Sequence, residues 1–572
     1  MAILQPLIDL PEICHAHGVR YAVISPGSRS APLTLAFVRH GGIQMQVCMD
    51  ERSAAFIALG IAQQKGAPVV LICTSGSAAY NFAPAVSEAF FQQVPLLILT
   101  ADRPKEWLHQ YDGQTIYQTE IYGKHVKRSF EFPVDYTHQD SIWAINRVSN
   151  EAINLTMTPP FGPVHINIPV REPFYPTNLE KLVASDGIRI IVKTESEKTI
   201  STGIWHELLD EWDESRRILI VGGQHLPDAA LSKTLAQIGE EWDIPIVADC
   251  TTNLTGSDSF IRHHDLFLNG ANQANLVPDL LVTFGLSFVS KDLKLFLRKN
   301  PAIKHWHIGQ DAFLADPTHS LTRQVPVEPQ YFFKQLYEKV DYQLFVENND
   351  SSIDSAYGAK WQDMERLALI FKHRKIDNLK SLNDLTSLNL IIKQLNGGYQ
   401  LHFGNSMAVR YANLLGVESK LGIYSNRGTS GIDGCVSTAV GAALVNSVPT
   451  LLLVGDVTFL YDRNGLLIRS LPQNLKIVVL NNAGGNIFRM IDGPAGLPEL
   501  DDYFETRHAF TARRTCEDSN ITYFEVREIS ALQEAVTEFL KSETISLLEV
   551  FTQAEDNDRA WKALRSGIQI AD

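Results

Sequence analysis

The chain has 572 residues, of which 45% are hydrophobic and 20% charged, with a net charge of −15 and an isoelectric point near 5.6. That length holds about three or four domains of ordinary size, the composition is that of a globular protein, and the acidic balance excludes the broad basic surface that nucleic-acid binding requires. Scattered cysteines (Cys14, Cys48, Cys73, Cys250, Cys435, Cys516) without a C-x-x-C, no apolar run near the ~18 residues that span a bilayer, and an N-terminus without a basic leader set the expectation of a reducing, cytoplasmic compartment.

Residues 1–190 alternate apolar runs (YAVIS, PVVLICT, PLLILTA, VHINIPV) with helical stretches, which predicts a doubly wound parallel α/β unit. Within it, DERSAAFIALGIA reads as a helix. Ala54, Ala55, Ala58, Gly60 and Ala62 would let another backbone pack closely. Glu51 stands at its start, a place where acids are favoured by the helix dipole alone. Arg52 abuts it but points about 100° away, outside any site built on Glu51. Arg29 and Arg103 follow YAVIS and LLILT, at strand exits where ligands bind in such sheets.

The polar segment SEKTISTG near 195–203 reads as a linker. A second α/β unit over 200–345 carries RILIVGG, IPIVADC, LLVTFG and KHWHIG. Its Gly222-Gly223 lacks the G-x-G-x-x-G of dinucleotide sites, so a structural or substrate-rim role is expected. Lys291 follows its strand LLVTFG. The polar stretch 346–358 reads as a second linker, and a third α/β unit covers 358–572.

In the third unit PTLLLVGD breaks at Asp456 and NLKIVVL breaks at Asn481-Asn482. Strand ends often carry Asp or Asn for turn chemistry alone. A carboxylate plus an amide oxygen is also a hard donor set, suited to Mg²⁺ that holds a phosphate. Gly484 would let the backbone approach such a ligand. Arg427 in YSNRGTSGIDG and Arg410 in GNSMAVR, with Ser406 one helical turn before it, add cations at strand exits. Guanidinium forks match carboxylates, so several in one cleft imply polyanionic substrates, unless each makes a structural ion pair. The pairs His263-His264 and His305/His307 lack supporting ligands at zinc spacing and read as core or surface residues.

The pattern of Asp456, Asn482 and Gly484, with E-x-x-A-x-x-x-A-x-G-x-A from Glu51 and then TSGSAAYNFAPAVSEA and VPLLILTADRP, resembles the thiamine diphosphate-dependent enzymes. One departure is Gly455-Asp456-Val457, where many members read Gly-Asp-Gly. SPGSRS, TADRP, GNSMAVR and YSNRGTSGIDG narrow the resemblance, over nearly the whole chain, to the MenD family, the 2-succinyl-5-enolpyruvyl-6-hydroxy-3-cyclohexene-1-carboxylate synthases of menaquinone and phylloquinone biosynthesis. The middle unit and the segment 490–520 match least.

This resemblance implies three domains of the thiamine diphosphate-enzyme type: pyrimidine-binding, middle and diphosphate-binding. It implies thiamine diphosphate with Mg²⁺ or Mn²⁺, and a homodimer or homotetramer with active sites between subunits. The metal ligands would be Asp456, Asn482 and the Gly484 carbonyl, with Asn486 and Ile487 beside the cofactor. Glu51 would face the aminopyrimidine and Ile432 would prop the cofactor's bent shape. Ile487 and Phe488 would form an apolar wall. The implied reaction decarboxylates 2-oxoglutarate and adds the succinyl-semialdehyde carbanion to isochorismate in a 1,4-addition. Ser28, Arg29, Arg103, Gln114 and Lys291 would serve isochorismate. Ser406, Arg410 and Arg427 would serve carboxylates and the covalent intermediate.

The rivals are another thiamine carboligase or decarboxylase, of the acetohydroxyacid synthase type, and a non-catalytic subunit. The SRS and NRG arginines speak against small neutral acceptors. His109-Gln110, in place of the His-His pair of simple decarboxylases, speaks for carboligation. Decay would strike Glu51 or Asp456 first, and both stand.

Overall fold

Parallel strands covered by helices on both faces read as near-continuous apolar runs, and the long runs of the sequence follow that pattern. In the computed structural model β3 (Val69–Cys73), β4 (Leu96–Asp102) and β6 (Val164–Pro169) are buried throughout. They form the first sheet with β1 (Tyr21–Ile24), β2 (Gln44–Val47) and β5 (Ser129–Glu131), in the order β2-β1-β3-β4-β6-β5. The structure describes residues 4–172, 174–176, 181–194, 196–269, 273–310, 313–340, 355–491 and 493–568.

The second sheet holds β7 (Ile218–Gly222), β8 (Ile246–Ala248), β9 (Phe260–Ile261), β10 (Leu280–Phe284), β11 (Lys304–Ile308) and β12 (Arg323–Val325). Its order, β12-β11-β10-β7-β8-β9, is that of dinucleotide-binding folds. The crevice between β7 and β10, where a pyrophosphate would lie, is closed by the chain itself. Gly223 N–H donates to Phe284 O at 2.8 Å, and a Cβ on Gly223 would stand 2.1 Å from Leu286 O. Gly222-Gly223 is therefore a point of backbone contact.

The third sheet is built from β13 (Gln400–Phe403), β14 (Ile423–Tyr424), β15 (Thr450–Gly455), β16 (Leu475–Asn481), β17 (Thr522–Val526) and β18 (Ser546–Phe551). Its order is β14-β13-β15-β16-β18-β17. Counted from its own first strand, it repeats the order of the first sheet, and the pairings in all three sheets are parallel.

The expected linkers shift in detail. Helix Thr202–Asp213 begins inside the 195–203 segment. Residues 341–354 lie outside the described residues, and 355–358 already belong to helix Ser355–Asp377. There Gly358 comes so close to the middle unit that a Cβ would lie 1.8 Å from Asp243 O.

Packing ties the sheets together. Leu219, Val221, Phe288 and Phe296 of the second unit share one apolar core with Trp361, Tyr411 and Leu414. The helix Glu51–Lys65 packs on the helix Cys435–Val445 of the third unit. It starts at Asp50, whose carboxylate accepts from Arg52 N and Ser53 N at 2.9 and 3.3 Å. Such a cap stabilises a helix by ~1 kcal/mol. It ends at Gly66, with φ of 57°.

Candidate functional site

Two groups of polar residues collect at the carboxyl ends of the first and third sheets. In the third, Asp456 opens the helix Asp456–Asp462 directly after β15. Its Oδ2 accepts from Gly484 N at 2.9 Å and its Oδ1 from Val457 N at 2.7 Å. Asn482 follows β16 and donates from Nδ2 to Asp384 Oδ2 at 3.1 Å. Its Oδ1 is buried without a hydrogen-bond partner among the described residues, and so is Asn486 Oδ1. Orphaned buried oxygens are rare and call for an explanation. Gly484 is held against the Glu505 carbonyl, which a Cβ would meet at 2.6 Å.

These groups face a cavity of about 220 Å³, lined also by Ser406, Ile432, Ile487 and Phe488. A buried carboxylate beside unpaired amide oxygens is a donor set that fits a hard divalent cation and an anionic ligand on it. Asp384, on the same cavity, is fully buried. Burial, reinforced by the charge of Asp456, pushes its pKa up to about 6 against the hydrogen bonds from Thr552 and Asn482.

Ser406 holds φ of 70° at the N-cap of helix Met407–Leu415. A non-glycine residue in that region is strained, and such residues cluster at sites. Arg410, one turn on, donates back to the Ser406 carbonyl. Arg427 is buried and donates to Asn405 Oδ1 at 3.0 Å. Asn405 in turn donates to the carbonyls of Asn426 and Gly431, both at 2.6 Å, which locks the Arg427 loop. Glu88, from the first unit, clamps that loop from outside by accepting Gly428 N at 2.7 Å and Thr429 N at 2.6 Å. Burial lowers the pKa of both arginines, and Arg427 lowers that of Arg410 further. Such cations favour an anion between them.

In the first sheet, Ser28 and Arg29 follow β1, Glu51 follows β2, Ser75 follows β3 and Arg103 follows β4. Arg103 pairs with Asp112 and donates to Ser75 Oγ at 2.9 Å and Gln114 O at 3.1 Å. Gln114 is exposed, with φ of 57°. Arg29 donates to Val170 O at 2.9 Å and lies 4.5 Å over the Phe174 ring. Burial and then the charge of Arg103 lower its pKa. Arg29, Arg103 and Gln114 thus stand on one rim, with Ser28 exposed beside Arg29.

Glu51 accepts from Asn81 Nδ2 at 3.2 Å and opens onto a different cavity, about 610 Å³, lined by Met49, Asp50, Arg52, Asn81, Asn464 and Leu467. Among the described residues none lines both this cavity and that of Asp456. Arg52 points elsewhere, donating to Tyr461 O at 2.6 Å and lying 4.6 Å over its ring. Lys291 is the exposed first residue of helix Lys291–Lys299. The other histidines have protein partners: His263 lies between Glu365 Oε1 and Lys372 Nζ, each at 2.6 Å. For His264, burial would lower the pKa, but Asp249 and Asp265 lift it to about 9. His305 meets Thr283 Oγ1 at 2.9 Å.

Sequence reasoning missed Asp384, Asn405 and Glu88. Asn405 sits inside GNSMAVR, next to residues already chosen. Glu88 is an acid in the otherwise apolar APAVSEAFF helix, a signal that it needs buried partners. Asp384 carries no local sign of its role.

Residues 9–122 match the family model described as thiamine pyrophosphate enzyme, N-terminal TPP binding domain. The chain is similar to 2-succinyl-5-enolpyruvyl-6-hydroxy-3-cyclohexene-1-carboxylate synthases. It is 40% identical to that of Cytophaga hutchinsonii over 99% of both chains. It is 36% identical to that of Flavobacterium johnsoniae, over 98% of this chain and 97% of the other. It is 36% identical to that of Desulfotalea psychrophila, over 91% and 94%.

Proposed function

Because the chain belongs to the 2-succinyl-5-enolpyruvyl-6-hydroxy-3-cyclohexene-1-carboxylate synthase family of thiamine diphosphate enzymes, we propose that it decarboxylates 2-oxoglutarate and joins the remaining succinyl-semialdehyde unit to isochorismate by 1,4-addition, in menaquinone or phylloquinone synthesis. The observation that carries the reading is the cavity at the end of the third sheet. There the Asp456 carboxylate and the unpaired oxygens of Asn482 and Asn486 face the space that Ser406 also lines.

Asp456, Asn482 and the Gly484 carbonyl would hold Mg²⁺ or Mn²⁺, with Asn486, Ile487 and Ile432 against the cofactor. When bound, thiamine diphosphate supplies the carbon nucleophile and the electron sink for decarboxylation. Glu51 holds a proton for the aminopyrimidine ring. Ser406, Arg410 and Arg427 take the carboxylates of the 2-oxo acid by charge-assisted hydrogen bonds. Ser28, Arg29, Arg103, Gln114 and Lys291 take the carboxylates and hydroxyl of isochorismate. Ile432, Ile487 and Phe488 keep water, and so stray protons, from the reacting carbon.

Glu51 comes from a second copy in this reading, which makes the protein a homodimer or homotetramer. Two facts support it. Glu51 and Asp456 open onto different cavities of one chain. The apolar side chains around the Glu51 recess are exposed: Met49 at 68%, Tyr80 at 56%, Tyr461 at 53% and Leu467 at 42%. Such a patch marks an interaction surface.

The units would divide as a pyrimidine-binding domain over 1–190, a middle domain over 200–345 and a diphosphate-binding domain over 358–572. A cytoplasmic location accords with the free, buried cysteines. Among the described residues no helix is long and apolar enough to cross a membrane.

The test mixes purified protein, thiamine diphosphate, Mg²⁺, 2-oxoglutarate and isochorismate and identifies the product by mass. The mass of 2-succinyl-5-enolpyruvyl-6-hydroxy-3-cyclohexene-1-carboxylate, which carries three carboxylates, is expected. Succinic semialdehyde as sole product, or acetolactate formed when pyruvate replaces 2-oxoglutarate, would overturn the assignment.

A further inference from the structure

We infer that Lys294, on the middle unit, is a third cation for the distal carboxylate of the 2-oxo acid, beside Arg410 and Arg427, and sets the preference for a 2-oxo diacid over a 2-oxo monoacid. This inference rests on the substrate reading above.

The elements that carry the three cations are tied to one another. Ser287, just before the helix Lys291–Lys299, donates from Oγ to Arg427 O at 3.3 Å. The helix is capped by Ser290, whose Oγ accepts from Leu293 N at 2.9 Å and donates to Asp265. Asp265 also accepts from Asn413 Nδ2 at 2.8 Å, on the helix that carries Arg410. Leu293, Phe296 and Leu297 sit in the shared core and fix which face of the helix turns outward. Lys294, on the same helix, is half-buried, and the charges of Arg427 and Arg410 act on it.

The charges that act on it are those of Arg427, Asp249, Arg298 and Arg410; burial first, and then the three arginines, lower its pKa. Asp249 alone among them favours the ammonium form, and it is already engaged. It accepts from Val289 N, from Ser290 N at 3.3 Å and from His264 Nε2 at 3.2 Å. Lys294 has no hydrogen-bond or ion-pair partner among the described residues, whereas Arg298 on the same helix donates to Pro317 O at 2.5 Å. An unpaired, half-buried ammonium near the buried guanidinium of Arg427 and the half-buried one of Arg410 is costly until an anion neutralises them. A distal carboxylate is that anion, and a monoacid cannot supply it.

The experiment compares wild-type holoenzyme with Lys294→Met and Lys294→Arg, varying 2-oxoglutarate, isochorismate and 2-oxopentanoate separately. Loss of a charge-assisted contact costs about tenfold or more in affinity. Lys294→Met is expected to raise KM for 2-oxoglutarate by about that factor and to leave kcat/KM for 2-oxopentanoate and KM for isochorismate unchanged. Lys294→Arg should restore most of the loss. In wild type, kcat/KM for 2-oxoglutarate should fall as rising pH removes the Lys294 proton, and Lys294→Arg should lack that alkaline limb.

Equal losses for the diacid and the monoacid, no loss at all, or a change confined to isochorismate would each overturn the inference. Release of CO₂ from 2-oxoglutarate is followed beside adduct formation. A wild-type protein that releases CO₂ but forms no isochorismate adduct would overturn the proposed reaction while the Lys294 comparison still stands. One that does not decarboxylate 2-oxoglutarate would overturn both.

Discussion

The side-chain amide of Asn482 has two ends, and the protein uses only one. Its Nδ2 is pinned to Asp384, which leaves Oδ1 pointing at the cavity without a partner among the described residues. Asp384 is thus an outer residue that orients a proposed metal ligand, fixed in turn by Thr552 Oγ1 at 2.7 Å. Removing such a partner costs ten- to a hundredfold in metal affinity. Asp384→Ala should therefore weaken Mg²⁺ and thiamine diphosphate binding by about that factor in calorimetric titration, and unchanged binding would reduce Asp384 to a structural acid. Asp456 and Asn482 were legible because each ends an apolar strand. Asp384 was not, because the contact joins residues 98 positions apart and nothing in NDLTS marks it.

At the scale of elements, the helix Glu51–Lys65 meets the helix Cys435–Val445 through two glycines. A Cβ on Gly60 would lie 2.0 Å from Thr438 O, and one on Gly441 would lie 2.1 Å from Ile57 O. Alanine is the better helix former by ~1 kcal/mol, so an isolated helix would gain from Gly60→Ala. Here the clash is with backbone, which can yield only by parting the helices, and overpacking of this kind costs about 1–3 kcal/mol. The steric cost outweighs the propensity. Gly60→Ala should lower the midpoint of urea unfolding, and a raised midpoint would mean that the helices part easily. The sequence showed a small-residue face on this helix. It did not show the partner, which lies more than 370 residues further along.

For the whole molecule, Glu51 and Asp456 stand at the carboxyl ends of two sheets with the same strand order, after the edge strand β2 and the interior strand β15. Each sheet offers part of a site, and in one chain those parts do not share a cavity. If a second copy completes each site, two inactive variants should rescue one another. Half of a statistical mixture of Glu51→Gln and Asp456→Ala dimers would be mixed, and each mixed dimer would hold one intact site of two. Activity near about a quarter of wild type is expected after co-refolding or co-expression. No recovery from verified mixed oligomers would place both residues of each site in one subunit.

Local chemistry was enough to determine much of this protein. Buried parallel strands read as near-continuous apolar runs, so the sheets were visible, and ligand-binding residues at strand ends stand out against them. Distant pairings were settled only by tertiary structure. It left Lys294 half-buried on a helix whose Leu293, Phe296 and Leu297 join the shared core. It closed the dinucleotide crevice with Leu286. It set Glu88 on the Arg427 loop from 340 residues away. The reason is physical: a side chain's partner across a packed interface depends on helix rotation and close approach, and neither leaves a periodic trace in the chain.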